Sequence, residues 1–242
     1  EHLDRLDYSL QEIQLDSPLN RGEWRSMLEK LVALNGGGNM SVYLQITRGE
    51  AAVREHAFPP TGTPPTVFAM CSPISKPKTE DIDNAVGGKA ITVKDIRWLR
   101  CDIKSISLLP NILMRQKAVE AGAAEAIFIR DGSATEGSAS NLFIVKDGRL
   151  ITPPKSHFIL GGITRDLILE LATINGFPFV ERAISEAELR GADEVWVSSS
   201  TREILPIIEL DGAPVANGEI GPTWKKFATL YVNYKASLFE GK

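Results

Sequence analysis

The stretch EAIFIRDGSATEGSASNLFIVKDG, residues 125–148, contains two strand candidates in succession, and an Asp-Gly pair follows each of them. The candidates, 125–129 and 142–145, are rich in branched and aromatic residues, which favour strands. An Asp-Gly pair favours a tight hairpin turn, so each strand is expected to reverse into an antiparallel neighbour. A third pair stands at 211–212. So many turn-linked strands argue against a purely parallel, doubly wound sheet.

Periodicity extends this pattern in both directions along the chain. Further strands are predicted at 90–93, 195–197 and 204–208, and helices at about 109–122, 163–175 and 222–239. Near the beginning, apolar residues spaced three and four apart predict one helix from Leu3 to Ile13 and another from Trp24 to Leu34. Strands are predicted after these helices at 41–47, 52–58 and 67–70. The pattern predicts a mixed α/β (α+β) fold.

The most polar, proline-containing segment is 75–81, and we place a domain boundary there. The prediction is a small N-terminal domain, 1–76, and a larger C-terminal domain, 82–242, which is partly barrel-like. Because Glu1 is not a methionine and no leader-like segment follows it, we expect further residues to precede it in the natural protein.

Composition excludes several classes of protein. With 43% hydrophobic and 24% charged residues among 242, the chain is expected to form an ordinary packed globule. A net charge of −4 and the lack of a long basic run argue against nucleic acid as a partner. No apolar stretch reaches the roughly 18 residues of a membrane helix. Cys71 and Cys101 form no disulfide or metal motif, and the three histidines lack metal-ligand spacing, so we expect a cytoplasmic, metal-free protein.

Lys104 is the first candidate for chemistry, because polar and apolar residues alternate around it in a predicted strand. Apolar surroundings disfavour the ammonium form of a lysine, which makes its amine available as a Schiff-base nucleophile. The alternative is a lysine on the solvated face of a strand.

Three further segments have features of a ligand site, although each is weak alone. Glu136 is the one carboxylate in a predicted loop of small residues, 135–141, where it could pair with a ring N–H, or else lie on the surface of a turn. The pair Gly161-Gly162 leads into a predicted helix whose N-terminus could hold a phosphate, unless Thr164 caps it. Residues 198–201 place four hydroxyls at the end of a strand, as a ligand site or a polar turn.

Arg54 and His56 are two residues apart in the predicted strand 52–58, so their side chains would leave the same face and could share one carboxylate. The alternative is that both are ordinary surface residues. Taken together, a reactive lysine, a carboxylate for a ring nitrogen and a phosphate cup are what pyridoxal 5′-phosphate requires.

Motifs along almost the whole chain, in the right order, resemble those of D-amino-acid aminotransferases. The run DIRWLRCDIKS at 95–105 resembles their cofactor-lysine motif. The other matching segments are 2–6, 45–49, 54–56, 135–138 and 162–165. This family belongs to the fold type IV pyridoxal phosphate enzymes, with branched-chain aminotransferases and aminodeoxychorismate lyase as relatives.

The resemblance implies a homodimer of two-domain subunits, with the cofactor between the domains. Lys104 would bind the cofactor as a Schiff base, and Glu136 would hold the pyridine nitrogen protonated. The phosphate ligands implied are Arg5, the backbone N–H groups of Ile163 and Thr164, and the Ser200 hydroxyl.

By the same resemblance, Arg54 and His56 would bind the carboxylate of a D-amino acid such as D-alanine, and a 2-oxo acid would receive the amino group. Two features depart from the family: its Gly-Asp-Gly-x-Tyr-Glu segment is absent from this sequence, and Ala139 stands where a serine is common. An aminodeoxychorismate-type lyase, a branched-chain L-amino-acid transaminase and a chain that binds the cofactor without turnover remain alternatives.

Overall fold

The computed structural model describes residues 1–74 and 81–240. The chain divides into two compact units, Glu1–Lys76 and Pro77–Lys242. The boundary that we predicted at 75–81 lies, except for Asp81, outside the described residues.

The described residues of the first unit, 1–74, form two helices and a two-stranded antiparallel sheet. These elements are α1 (His2–Glu12), α2 (Arg21–Leu34), β1 (Met40–Thr47) and β2 (Thr66–Pro73). Asn20 and Glu23 form a reciprocal capping box at the start of α2, which satisfies N–H groups that have no partner within the helix. The two predicted helices and the strands at 41–47 and 67–70 are confirmed.

The strand predicted at 52–58 is wrong, because these residues form bends and irregular structure. Gly49, with φ of +93°, turns the chain immediately after β1. β1 then pairs along its whole length with β2. The segment ends with the Phe58 ring against the Arg48 guanidinium, 3.5 Å from the ring centroid, and two prolines follow. The alternation of residue types at 52–58 therefore does not correspond to a strand.

The second unit is built on a ten-stranded mixed sheet. Its strands are β3 (Gly88–Lys94), β4 (Glu125–Arg130), β5 (Ser133–Gly137), β6 (Asn141–Lys146), β7 (Arg149–Thr152), β8 (Phe179–Glu181), β9 (Ile184–Ser185), β10 (Glu194–Ser199), β11 (Glu203–Leu210) and β12 (Ala213–Pro214). Its helices are α3 (Leu109–Glu120), α4 (Ile163–Ile174), α5 (Glu186–Arg190) and α6 (Pro222–Glu240).

Six strands of this sheet close into a barrel. They follow the order β6-β10-β11-β3-β4-β5, and a pairing of β5 with β6 closes the ring. The pairs β11–β3 and β3–β4 are parallel and the other pairs of the ring are antiparallel. The predicted fold, mixed α/β with a barrel in the larger part, is confirmed.

The Asp-Gly pairs behave as their sequence predicts. Both residues of each pair have positive φ, from 49° to 50° at the aspartates and from 72° to 79° at the glycines. This is the conformation of a type I′ turn, whose twist matches that of a hairpin. The turns at 131–132, 147–148 and 211–212 connect β4 to β5, β6 to β7 and β11 to β12.

Alternation along the strands divides the core into an interior and an outer layer. In β6, Leu142 and Ile144 join a cluster to which all six barrel strands contribute, which identifies it as the barrel interior. Phe143 and Val145, between them, pack with residues of α4 and α6. Residues of α3 cover β4 in the same way, with Met114 and Ala118 against Phe128. The strands are therefore packed on both sides, and this packing fixes the positions at which the connecting loops begin and end.

Candidate active site

Glu136 is buried near the end of β5, with 5% of its surface exposed. Its Oε2 accepts hydrogen bonds from the Leu160 backbone N–H at 3.0 Å and from Asn141 Nδ2 at 3.2 Å, and its Oε1 accepts one from Arg97 Nη1. Burial raises the pKa of Glu136 to about 7, although the Arg97 guanidinium opposes this shift. The alternative of a surface glutamate is excluded. Of the loop predicted at 135–141, residues 135–137 belong instead to β5, which pairs with β4, β6 and β9, and Asn141 begins β6.

Asn141, the first residue of β6, joins several segments around Glu136. It lies opposite Glu136 on one side and opposite Ser198 of β10 on the other. Its Nδ2 also donates to the Leu160 carbonyl at 2.7 Å. A Cβ added to Gly162 would collide with Asn141 Oδ1. The segment before α4 therefore approaches β6 so closely that position 162 requires glycine, and the sequence alone did not reveal this role of Asn141.

Helix α4 begins at Ile163, with Gly162 as its N-cap. No described side chain makes a hydrogen bond at this cap, so Thr164 does not cap the helix. The Thr164 side chain is buried and is hydrogen-bonded to Tyr231. The first N–H groups of a helix have no acceptor within the helix. Those of Ile163 and Thr164 therefore form a site suited to an anion.

The end of β10 adds hydroxyl groups beside this helix N-terminus. Ser198 lies directly opposite Asn141, the residue that Gly162 approaches. The Ser198 side chain is 2% exposed, yet its Oγ has no hydrogen-bond partner within the described residues. A buried hydroxyl without a partner is rare and requires an explanation. Ser200 is exposed in the turn between β10 and β11.

Lys104 lies in an irregular segment between β3 and α3, so its predicted place on a strand is wrong. Ile103 is buried but Lys104 is exposed, so the structure does not place the Lys104 side chain in the apolar core. The segment is nevertheless fixed next to the loop before α4, because the Cys101 N–H donates to the His157 carbonyl at 2.8 Å. This loop continues to Leu160, which contacts Glu136.

The remaining three predicted residues belong to the first unit. Arg5 is half-buried on α1, whereas Arg54 and His56 are exposed. Because 52–58 is not a strand, alternation cannot place the last two side chains on one face. Arg48 organises this region: its guanidinium donates to the Ile13 carbonyl and, at 3.0 Å, to that of Gln14, while it contacts the Phe58 ring. The sequence did not indicate this role of Arg48.

The second unit contains groups that fit a phosphorylated, protonated pyridine ring. A carboxylate has about four acceptor positions, and three hydrogen bonds to Glu136 leave room for a ring N–H. The N-terminus of α4 and the buried Ser198 hydroxyl, which has no partner among the described residues, provide donors of the kind that a phosphate accepts. The donors and acceptors present therefore match the chemistry of the cofactor inferred from the sequence.

The barrel, the buried carboxylate and the adjacent helix N-terminus occur in a chain that belongs to the class IV amino-transferase family, whose model matches residues 1–210. The family assignment made from the motifs is confirmed. The chain is 43% identical over 233 residues to a D-alanine aminotransferase of Bacillus licheniformis, which covers 96% of this chain and 81% of that protein. It is 45% identical over 222 residues to one from Listeria monocytogenes, over 92% and 76% of the two chains.

Solved structures resemble the chain as well. An Escherichia coli branched-chain amino acid aminotransferase matches with a TM-score of 0.86 and 26% identity, over 96% of this chain and 77% of that one. A hypothetical aminotransferase from Mycobacterium tuberculosis, in a form with bound α-ketoglutarate and PMP, matches with a TM-score of 0.79 and 26% identity, over 95% and 80%. In the described part of this chain, no helix is long and apolar enough to cross a membrane.

Proposed function

We propose that this protein transfers the amino group of a D-amino acid, of the D-alanine type, to a 2-oxo acid with pyridoxal 5′-phosphate as its cofactor. The observation that carries the proposal is the buried Glu136 carboxylate beside the N-terminus of α4, in a chain 43–45% identical to D-alanine aminotransferases. The first feature supports the cofactor and the second supports the substrate.

In this proposal, residues of the second unit hold the cofactor. Glu136 accepts the hydrogen bond of the protonated ring nitrogen, and Arg97 keeps that carboxylate in place. The N–H groups of Ile163 and Thr164 bind the phosphate together with the Ser200 hydroxyl. When bound, the cofactor supplies an electron-withdrawing ring that makes the Cα–H bond of the amino acid acidic.

Lys104 binds the cofactor covalently and then exchanges places with the substrate amine. The freed Lys104 Nζ would remove the proton from the substrate Cα as a general base and then, as a general acid, deliver it to the cofactor carbon bonded to the amino nitrogen.

Arg5 in α1 is proposed as a further phosphate ligand, and Arg54 and His56 as the site of the substrate carboxylate. A guanidinium binds a carboxylate with two parallel hydrogen bonds, which orients the Cα–H bond as well as adding affinity. Arg48 is expected to support these residues through its contacts with Phe58 and with the carbonyls of Ile13 and Gln14, just after α1.

The experiment is a comparison of half-reactions. The cofactor-loaded protein is mixed with D-alanine, L-alanine or L-leucine, and conversion of the cofactor is followed by absorbance. We expect D-alanine to react fastest, and E136Q to retain the cofactor while reacting about a hundred times more slowly. Preference for L-leucine would support a branched-chain enzyme. Release of pyruvate from aminodeoxychorismate without amino transfer would support the lyase.

We further propose that two copies associate and that the protein works in the cytoplasm. Apolar side chains on and before α3, including those of Ile106, Leu109 and Ile112, are 59–67% exposed, which would be costly if solvent always covered them. Both cysteines are free thiols, as a reducing compartment favours. Sedimentation of the wild type and of I112D tests the association, and a monomeric wild type would contradict it.

A further inference from the structure

Glu136 forms one end of a buried chain of four charges. Arg97 donates from Nη1 to Glu136 Oε1, and from Nε and Nη2 to Asp95 Oδ1 and Oδ2 at 2.9 and 2.8 Å. Arg130 Nε donates to Asp95 Oδ2 at 3.0 Å. The Asp95 side chain is fully buried and that of Arg97 is 3% exposed. Two carboxylates and two guanidiniums thus compensate each other inside the second unit.

Contacts on several sides fix Arg97 in this chain. Its Nη2 also donates to Thr135 Oγ1 at 3.2 Å and to the Phe158 carbonyl at 3.1 Å. Its guanidinium lies 4.2 Å from the centroid of the Phe128 ring. Because a guanidinium held in this way cannot follow a moving partner, its distance from Glu136 is set by the surrounding structure.

We infer that Asp95 and Arg97 are positioning residues that tune the charge of Glu136 in opposite directions, Arg97 by stabilising the carboxylate and Asp95 by weakening the field of Arg97. The inference rests on the proposed function only in taking Glu136 to be the partner of the cofactor ring. The electrostatic relation among the three residues stands without it.

The charges around Glu136 act with the signs that this inference needs. Burial raises the pKa of Glu136, the Arg97 ion pair lowers it, and the negative charge of Asp95 raises it. Asp95 itself remains ionised, since hydrogen bonds from Arg97 and Arg130 outweigh the effect of its own burial and lower its pKa. The Cys101 thiol, near Arg97, has a raised pKa because it is buried, so it stays neutral.

The test compares variants that remove one charge each from the cofactor-free protein. Infrared difference spectra of protein labelled with ¹³C-glutamate, with E136Q as the reference, report the pH midpoint of Glu136 ionisation. We expect D95N to lower this midpoint by about one pH unit and R97M to raise it by about one. R97K, which keeps the charge, should lie between R97M and the wild type. D193N, which removes an exposed carboxylate paired with Lys146, is the matched control and should leave the midpoint unchanged.

Opposite shifts in D95N and R97M would support the inference, because a merely structural role would move both midpoints the same way. An unchanged or raised midpoint in D95N would overturn it, and this arm remains decisive if R97M does not fold. The pH profile of the D-alanine half-reaction separates the two proposals. If the D95N midpoint falls but the profile of the loaded enzyme does not move, the relation among the charges is supported and the assigned role of Glu136 at the cofactor is refuted.

Discussion

Asn141 lies directly opposite Glu136 across the β5–β6 pair, and its side-chain amide reaches both the Glu136 carboxylate, at 3.2 Å, and the Leu160 carbonyl, at 2.7 Å. This one side chain joins the strand pair that closes the barrel to the loop that leads into α4. The predicted ring partner and the predicted phosphate cup are therefore held in a fixed relation before any ligand binds. Such preorganisation avoids an ordering cost at the time of binding.

Gly162→Ala tests the close approach of this loop to β6. The new methyl group would collide with Asn141 Oδ1, so the loop or the amide must move. We expect the free energy of unfolding to fall by about 1–3 kcal/mol and cofactor affinity to fall as well. Gly161→Ala is the matched control, because a Cβ added at Gly161 would meet the flexible Lys155 side chain at 3.6 Å, an ordinary contact distance. Equal effects of the two substitutions in urea unfolding would contradict the prediction.

Glu136→Gln is expected to change the pH dependence of stability in the cofactor-free protein. Burial raises the Glu136 pKa from 4.5 to about 7, so the folded state binds a proton more tightly than the unfolded chain. The stabilisation from this proton is complete below about pH 4.5 and is lost as the pH rises through about 7. Between about pH 4.5 and pH 7, the free energy of unfolding of the wild type should fall by about 3 kcal/mol more than that of E136Q. Parallel stability curves for the two proteins would mean that Glu136 titrates normally.

Ser198→Ala should separate cofactor binding from stability. The buried Ser198 hydroxyl has no partner within residues 1–74 and 81–240, so its removal relieves a desolvation cost and the cofactor-free variant should be as stable as the wild type or slightly more stable. If the hydroxyl instead donates to the cofactor phosphate, affinity for pyridoxal 5′-phosphate should fall by about tenfold. Calorimetric titration and thermal unfolding check the two parts. Unchanged affinity would show that Ser198 does not contact the cofactor.

Lys104 is predicted to carry the covalently bound cofactor. Borohydride reduction of the loaded protein, followed by peptide mapping, should place the pyridoxyl group on the peptide that contains Lys104. Lys104→Ala should leave no labelled peptide, whereas Lys94→Ala, on the preceding strand, should label as the wild type does. Labelling at any other lysine would refute the assignment.

Arg54→Ala tests the proposed carboxylate site. Loss of a charge-assisted pair should weaken D-alanine binding by about 2–3 kcal/mol, while the cofactor content stays the same. The binding of a primary amine without a carboxylate should weaken much less, because such an amine has no negative charge to pair with the guanidinium. Arg25→Ala, an exposed arginine of α2 paired with Glu29, serves as the control. Equal losses for all substrates would make Arg54 a structural residue.

Short-range patterns predicted much of the fold correctly. The helix at α2, the strands at β4 and β6 and the type I′ turns each depend on residues within a few positions of one another, so the local sequence contains the information. The strand predicted at 52–58 does not form, because an alternation of residue types does not show whether a partner strand is available. The strand predicted around Lys104 is absent for a related reason. Polar and apolar residues do alternate there, but no neighbouring strand pairs with that segment in the described structure.

The sequence by itself determined the mixed α/β class, the barrel hairpins and the family, because local propensity, turn chemistry and the order of motifs are properties of the chain. The tertiary structure decided which distant residues meet. Arg97 and Glu136 are 39 positions apart, and no local pattern marks Asp95 as the second partner of that arginine. Burial of these charges, and hence the raised pKa of Glu136, arises only when the barrel closes and excludes water from them.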